Sequence, residues 1–174
     1  MRELHTLARE HESSVIMLTS PINLEVQPKK TCSDMITSTT MAEEVKIQEL
    51  MEQGDFKGAF NALVPIVNAI PGNANMQFML GRAARESGQL AIAKDAFYKA
   101  VAFDCELWRA HPVFNEITKH LTQEFGQTLV DFDVLVNGQF GKDSLFLNDI
   151  YPQNVYFKLA SNLLKEKLKK IFNL

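Results

Sequence analysis

Apolar positions along this chain recur mostly at intervals of three and four, with two brief runs where they crowd together. Leu4, Leu7 and Ala8 predict a short amphipathic helix over residues 1–11. Val15-Ile16-Met17-Leu18, closed by Pro21, is too short for a helix standing alone and reads as a buried strand. Residues 23–40 are polar, with Pro28, two lysines and a Ser/Thr cluster, and read as a loop or partly ordered linker. Helical periodicity resumes at Met41. It breaks at His111-Pro112, beyond which Val113, Ile117, Leu121 and Phe125 predict another helix ending at Gly126. Thr128 to Phe132 reads as a second strand, and a glycine-punctuated loop spans 137–148. A last helix over 154–172 places Leu159, Leu163, Leu164, Leu168 and Ile171 on one side.

The middle stretch repeats. Ala59, Leu63 and Pro71 follow Gly54 by five, nine and seventeen residues. Gly88 lies 34 residues beyond Gly54, and Leu90, Ala93, Phe97 and Ala100 follow it at two, five, nine and twelve. A helix–turn–helix unit of that period resembles the tetratricopeptide repeat. Gly54 and Gly88 match its turn glycine, Ala59 and Ala93 the small residue where the helices cross, and Pro71 the proline closing the second helix. Gly81 matches the small residue on the first helix of repeat two, where repeat one has Ile47. Glycine accepts positive φ at a helix C-terminus, and small residues let helix axes approach closely. The departures are Glu43 and Gln77 at the family's large fourth position, and Pro65 inside a helix that it should kink or shorten.

Composition changes this picture little. A net charge of −3 and a pI near 5.8 give no support for a nucleic-acid footprint. No run of 18 apolar residues suggests a membrane span, and the charged first twelve residues are unlike a secretory signal. Cys32 and Cys105 form no metal-binding pattern; they fit free thiols in a reducing compartment, with one disulfide as the alternative. The default location is therefore the cytoplasm. His5 and His11 read as exposed residues flanking the first helix, His111 and His120 join no metal motif, and no cofactor or metal is expected.

The flanks carry a second resemblance. Leu129-Val130-Asp131, Gly141 to Leu147 and Asp149-Ile150-Tyr151-Pro152 before the last helix resemble the C-terminal end of SGNH/GDSL-type hydrolases. In one bacterial group of that family, tetratricopeptide-like helices are inserted between late strands. Thr19 to Leu24 resembles the strand end before such an insertion, and Asp104 to Ala110 the segment after it. The resemblance implies a catalytic aspartate at Asp149, but Tyr151 stands where the family's histidine would be. A phenol with a pKa of about 10 cannot serve as the general base a serine nucleophile needs. The nucleophile's own strand has no counterpart, and Gly141-Lys142-Asp143-Ser144-Leu145, after the repeats, is a chance likeness to its motif.

These readings combine into a mainly α fold: two tetratricopeptide-like hairpins with capping helices and a small parallel two-stranded element joining Val15–Leu18 to Leu129–Asp131. The expected organisation is an N-terminal helix, strand and linker (1–39), the repeats (40–107), and a capping helix, strand, loop and amphipathic helix (108–174) forming one compact unit with 1–24. Two repeats are few for a stable solenoid, so the flanks or self-association must complete the core. The expected function is a non-catalytic adaptor binding a protein or peptide, the alternative a divergent or fragmentary ester hydrolase. By register with the turn glycines, the inward groove residues are Glu44, Gln48 and Met51 in repeat one, and Asn75, Phe78, Arg82 and Arg85 in repeat two. An aromatic anchor beside two guanidiniums suits a peptide with one apolar and one acidic residue. The plainer alternative packs Phe78 in the core and leaves the arginines solvated. Leu107 and Trp108 read as core. The lysines of the last helix read as a solvated face over a core-packed stripe, with contact to anionic lipid as the other possibility.

Overall fold

The computed structural model describes residues 2–32, 38–142 and 144–172. In chain order the elements are α1 (Arg2–Glu10), β1 (Ile16–Leu18), α2 (Ser38–Glu52), α3 (Phe56–Ala69) and α4 (Ala74–Glu86), followed by α5 (Leu90–Ala102), α6 (Pro112–Glu124), β2 (Thr128–Val130), α7 (Phe132–Asn137) and α8 (Asn154–Phe172). The fold is mainly helical with one two-stranded parallel sheet, as the hydrophobic pattern implied. The chain divides into two compact units, residues 24–108 and residues 1–23 with 109–174.

In residues 24–108, α2 packs on α3, α3 on α4 and α4 on α5. The turns form because Gly54 and Gly88 take φ of 79° and 78°, a backbone region that costs other residues energy. Asp55 Oδ1 then accepts from the Gly58 N–H at 2.9 Å, and Asn73 Oδ1 from the Met76 N–H at 3.1 Å, capping α3 and α4. Ile47, Met51, Ala59, Leu63, Val67, Met76, Leu80, Ala83 and Ala96 form the core. Gly81 has a packing reason of its own: a Cβ there would stand 2.5 Å from the ring of fully buried Phe97. Pro65 neither kinks nor ends α3, which runs through it to Ala69. Both Pro65 and Asn61, whose carbonyl loses its helical partner, are exposed, so water can satisfy that oxygen.

The cysteines correct the sequence expectation. Cys32 and Cys105 are joined in a disulfide, not left as free thiols. Leu107 is exposed rather than core, and Trp108 is half-buried with the Lys29 ammonium 4.3 Å from its ring centre.

In the other unit, β1 and β2 pair in parallel with Ile16 opposite Thr128 and Leu18 opposite Val130. α6 packs on both strands, and α8 on β2 and α7. α7 had no periodic signal, being only six residues long; Asp131 caps it through the Val134 N–H at 3.1 Å. The interior here is unexpectedly polar. Asn115 exchanges two hydrogen bonds with the backbone of Ser20, at 2.9 and 2.8 Å. Asp133 accepts from the Ile22 N–H, and Asn137 donates to the Ile22 carbonyl, both at 2.9 Å. His5, expected to be exposed, is fully buried and stacks on Phe125 with ring centres 4.8 Å apart. Val113 and Ile117, expected to face inward, are exposed, while Asn115, Thr118, Leu121 and Thr122 are buried. The α8 stripe is only partly covered: Leu163, Leu164 and Ile171 are half-buried, and Leu159 and Leu168 are exposed.

Candidate partner-binding groove

The groove forms because helical spacing gathers each set of residues on one face. Glu44, Gln48 and Met51 lie at i, i+4 and i+7 along α2. Asn75, Phe78, Arg82 and Arg85 lie at i, i+3, i+7 and i+10 along α4. The structure brings Glu44, Gln48, Met51, Asn75, Phe78 and Arg82 to one recess of about 240 Å³, completed by Gln27, Glu52 and Met79. Arg85 lines an adjoining recess of about 290 Å³, which shares Gln27, Phe78 and Arg82 with the first and adds Glu25 and Phe97.

These residues do different work. Met51 belongs to the hydrophobic core, and Phe78 is 7% exposed with its ring 5.3 Å from that of Phe97. Both form the floor of the groove and are not free hooks for a ligand. Gln48 donates to Glu52 at 3.2 Å, which fixes the rim on α2. Arg85 is already engaged: its guanidinium lies 2.5 Å from Glu25 and 3.1 Å from Glu86. Partial burial alone would lower its pKa, but the hydrogen bonds and negative charge of Glu25 and Glu86 outweigh that effect and raise it. Arg82 is exposed and makes no ion pair within 4 Å among the described residues. Among the described residues the groove thus offers apolar side chains from Met51, Phe78 and Met79, one cation without an ion pair, Arg82, and the carboxylates of Glu44 and Glu52 from α2.

No protein-family model matches this chain, and neither does any curated protein or solved structure. The groove's chemistry is therefore read from its own side chains.

Glu25 and Gln27 had no signal in the sequence, because their place depends on how a non-repeating segment folds back on α4. Glu52 lies four residues after Gln48 and Met79 four after Asn75, so helical geometry alone could have suggested them. A larger recess, about 590 Å³, lies along α3, α4 and α5 and includes Phe60, Val64, Gln77 and Ile92. Its two charged residues, Asp95 and Lys99, neutralise one another at 2.7 Å. Among the described residues it therefore lacks the unpaired charge that distinguishes the groove.

The residues that bear on catalysis or metal binding have surroundings of their own. Asp149 and Tyr151 are exposed, and Asn148 Oδ1 accepts from the Ile150 and Tyr151 N–H groups at 3.0 and 2.9 Å in a tight turn. His111 caps α6 through the Val113 N–H, and His11 and His120 are exposed. Ser144 donates to the Phe146 carbonyl at 3.1 Å; Asp143 lies outside the described residues. Among the described residues no three His, Cys, Asp or Glu side chains are grouped to hold a metal ion, and no helix is long and apolar enough to cross a membrane.

Proposed function

We propose that this chain is a non-catalytic interaction module, whose tetratricopeptide-like hairpins bind a partner protein or peptide across α2 and α4. One observation supports the reading: Arg82, which makes no ion pair among the described residues, lines one recess with Met51, Phe78 and Met79 and with the carboxylates of Glu44 and Glu52. An extended peptide suits such a site, laying an apolar side chain on Met79 and Phe78 and a carboxylate against Arg82. A guanidinium–carboxylate pair in a partly desolvated groove supplies orientation as well as affinity.

The test pans a random heptapeptide library on the purified full-length chain and measures the selected peptides by fluorescence anisotropy. Arg82→Glu should weaken their binding at least tenfold while unfolding as wild type does, since the side chain is exposed. Equal affinity for Arg82→Glu would place the binding site elsewhere. A cytoplasmic placement, expected by default from the charged first twelve residues and the lack of a long apolar run, keeps those two supports, and the disulfide removes only the free-thiol one.

A further inference from the structure

Residues 24–32 form a strap along the groove side of α4. Leu24 and Pro28 are buried, Glu25 reaches Arg85, and Gln27 lies in both recesses. The far end of the strap is fastened after α5. The Asp104 carboxylate accepts from the Lys29 and Lys30 N–H groups at 3.2 and 3.1 Å. The Cys105 N–H donates to the Lys30 carbonyl at 2.7 Å, and the Cys32 N–H to the Phe103 carbonyl at 3.0 Å. The disulfide closes this end, and both of its cysteines are exposed.

We propose that the strap is a displaceable internal occupant of the groove, latched by the Cys32–Cys105 disulfide. The inference rests on the reading that the groove binds a partner. With the disulfide closed, Glu25 holds Arg85 and Gln27 shares the recess with Arg82, an intramolecular occupant at an effective concentration on the order of millimolar that an external peptide must exceed. The ion pair of Glu25 is partly exposed and screened by salt, so it adds little to the hold that buried Leu24 and Pro28 provide. Opening the disulfide removes the one covalent fastening of the far end, leaving the Asp104 carboxylate, the Lys29 contacts to Glu106 and Trp108 and the backbone hydrogen bonds to hold it, and so loosens Glu25 and Gln27 from α4.

An external dithiol can open the latch. One of its thiolates attacks a cysteine sulfur, breaking the S–S bond and releasing the other sulfur, which takes up a proton. Its second thiol then displaces the first cysteine. Two electrons and two protons end on Cys32 and Cys105, and the reductant leaves as a cyclic disulfide.

The experiment uses the full chain, oxidised and after dithiothreitol, with two readouts. Hydrogen exchange at the Lys29, Lys30 and Cys105 amides should accelerate at least tenfold on reduction, with the α3 and α4 amides unchanged as an internal control. A labelled synthetic peptide spanning Leu24–Thr31 should bind the reduced chain at least tenfold more tightly than the oxidised one. The double variant Cys32→Ser, Cys105→Ser should behave as the reduced chain without any reductant. Unchanged strap exchange on reduction and in the double variant would overturn the latch, whatever the peptide does. Faster exchange without peptide binding would uphold the latch and overturn the groove reading on which it rests.

Discussion

The two units solve the burial problem in opposite ways. Residues 24–108 place alanine, leucine, methionine and phenylalanine inside, and among the described residues Asn73, Gln77 and Asp104 are the buried polar ones. The other unit buries His5, Thr19, Arg109, Asn115, Thr118, Thr122, Asp133 and Asn137, and exposes Leu4, Leu7, Val113, Phe114 and Ile117. Residues 24–108 need fewer buried polar side chains, because most of this backbone is helical and helix interiors satisfy their own amides and carbonyls, with Asp55 and Asn73 capping two of the ends. The second unit must satisfy the irregular backbone of residues 19–23, and Asn115, Asp133 and Asn137 do so. A buried polar group costs more when left unpaired than it gains when paired, so such an interior specifies geometry more than it adds strength.

Substitutions can break this comparison. The largest effect is expected at Phe97, which fills the space above Gly81. Phe97→Ala should cost about 3–5 kcal/mol through lost burial and the cavity left behind. Urea unfolding followed by fluorescence of the single tryptophan, Trp108, reports on this unit directly. A loss below about 1 kcal/mol would mean that the helices are not held by their apolar crossings.

A smaller loss is expected where the interior is polar. Asn115→Leu adds apolar surface yet leaves the Ser20 N–H and carbonyl without their partner, a net cost of about 1–3 kcal/mol because Ser20 is exposed and water can replace part of what is lost. Circular dichroism in urea, with hydrogen exchange at β2 to locate the change, checks it. If leucine stabilised the unit, the polar interior would be incidental rather than structural.

The smallest effect should come from His5→Phe. The buried imidazole has no hydrogen-bond partner for either ring nitrogen among the described residues, and phenylalanine keeps the stack on Phe125. Thermal unfolding should show no loss, or a gain of up to about 1 kcal/mol. A clear destabilisation would show that an imidazole nitrogen does structural work there.

Much of the fold was legible because it rests on local rules. Turn glycines, capping residues and a 34-residue period each leave their mark within a few positions, and they located the helices of the hairpins closely. The helical register of α2 and α4 was equally local, so it placed Glu44, Gln48, Asn75 and Arg82 on shared faces. Periodicity misled in α6 and α1. There the apolar positions Val113, Ile117, Leu4 and Leu7 recur as if core-facing, yet the buried side follows Asn115, Thr118 and His5. A hydrophobic pattern says which residues share a face, and only the neighbouring backbone decides which face goes inward.

By itself, then, the sequence determined the helical hairpins, the pairing class of the two strands and the residues that share the inner faces of α2 and α4. These depend on spacing, helix capping and backbone conformational preference, all of which act over fewer than about ten residues. Tertiary structure alone decided three further things. It joined Cys32 to Cys105 across 73 positions, laid Glu25 on Arg85, and turned the polar side of α6 inward. Each depends on where one segment meets another distant in sequence, and no periodicity records such a meeting.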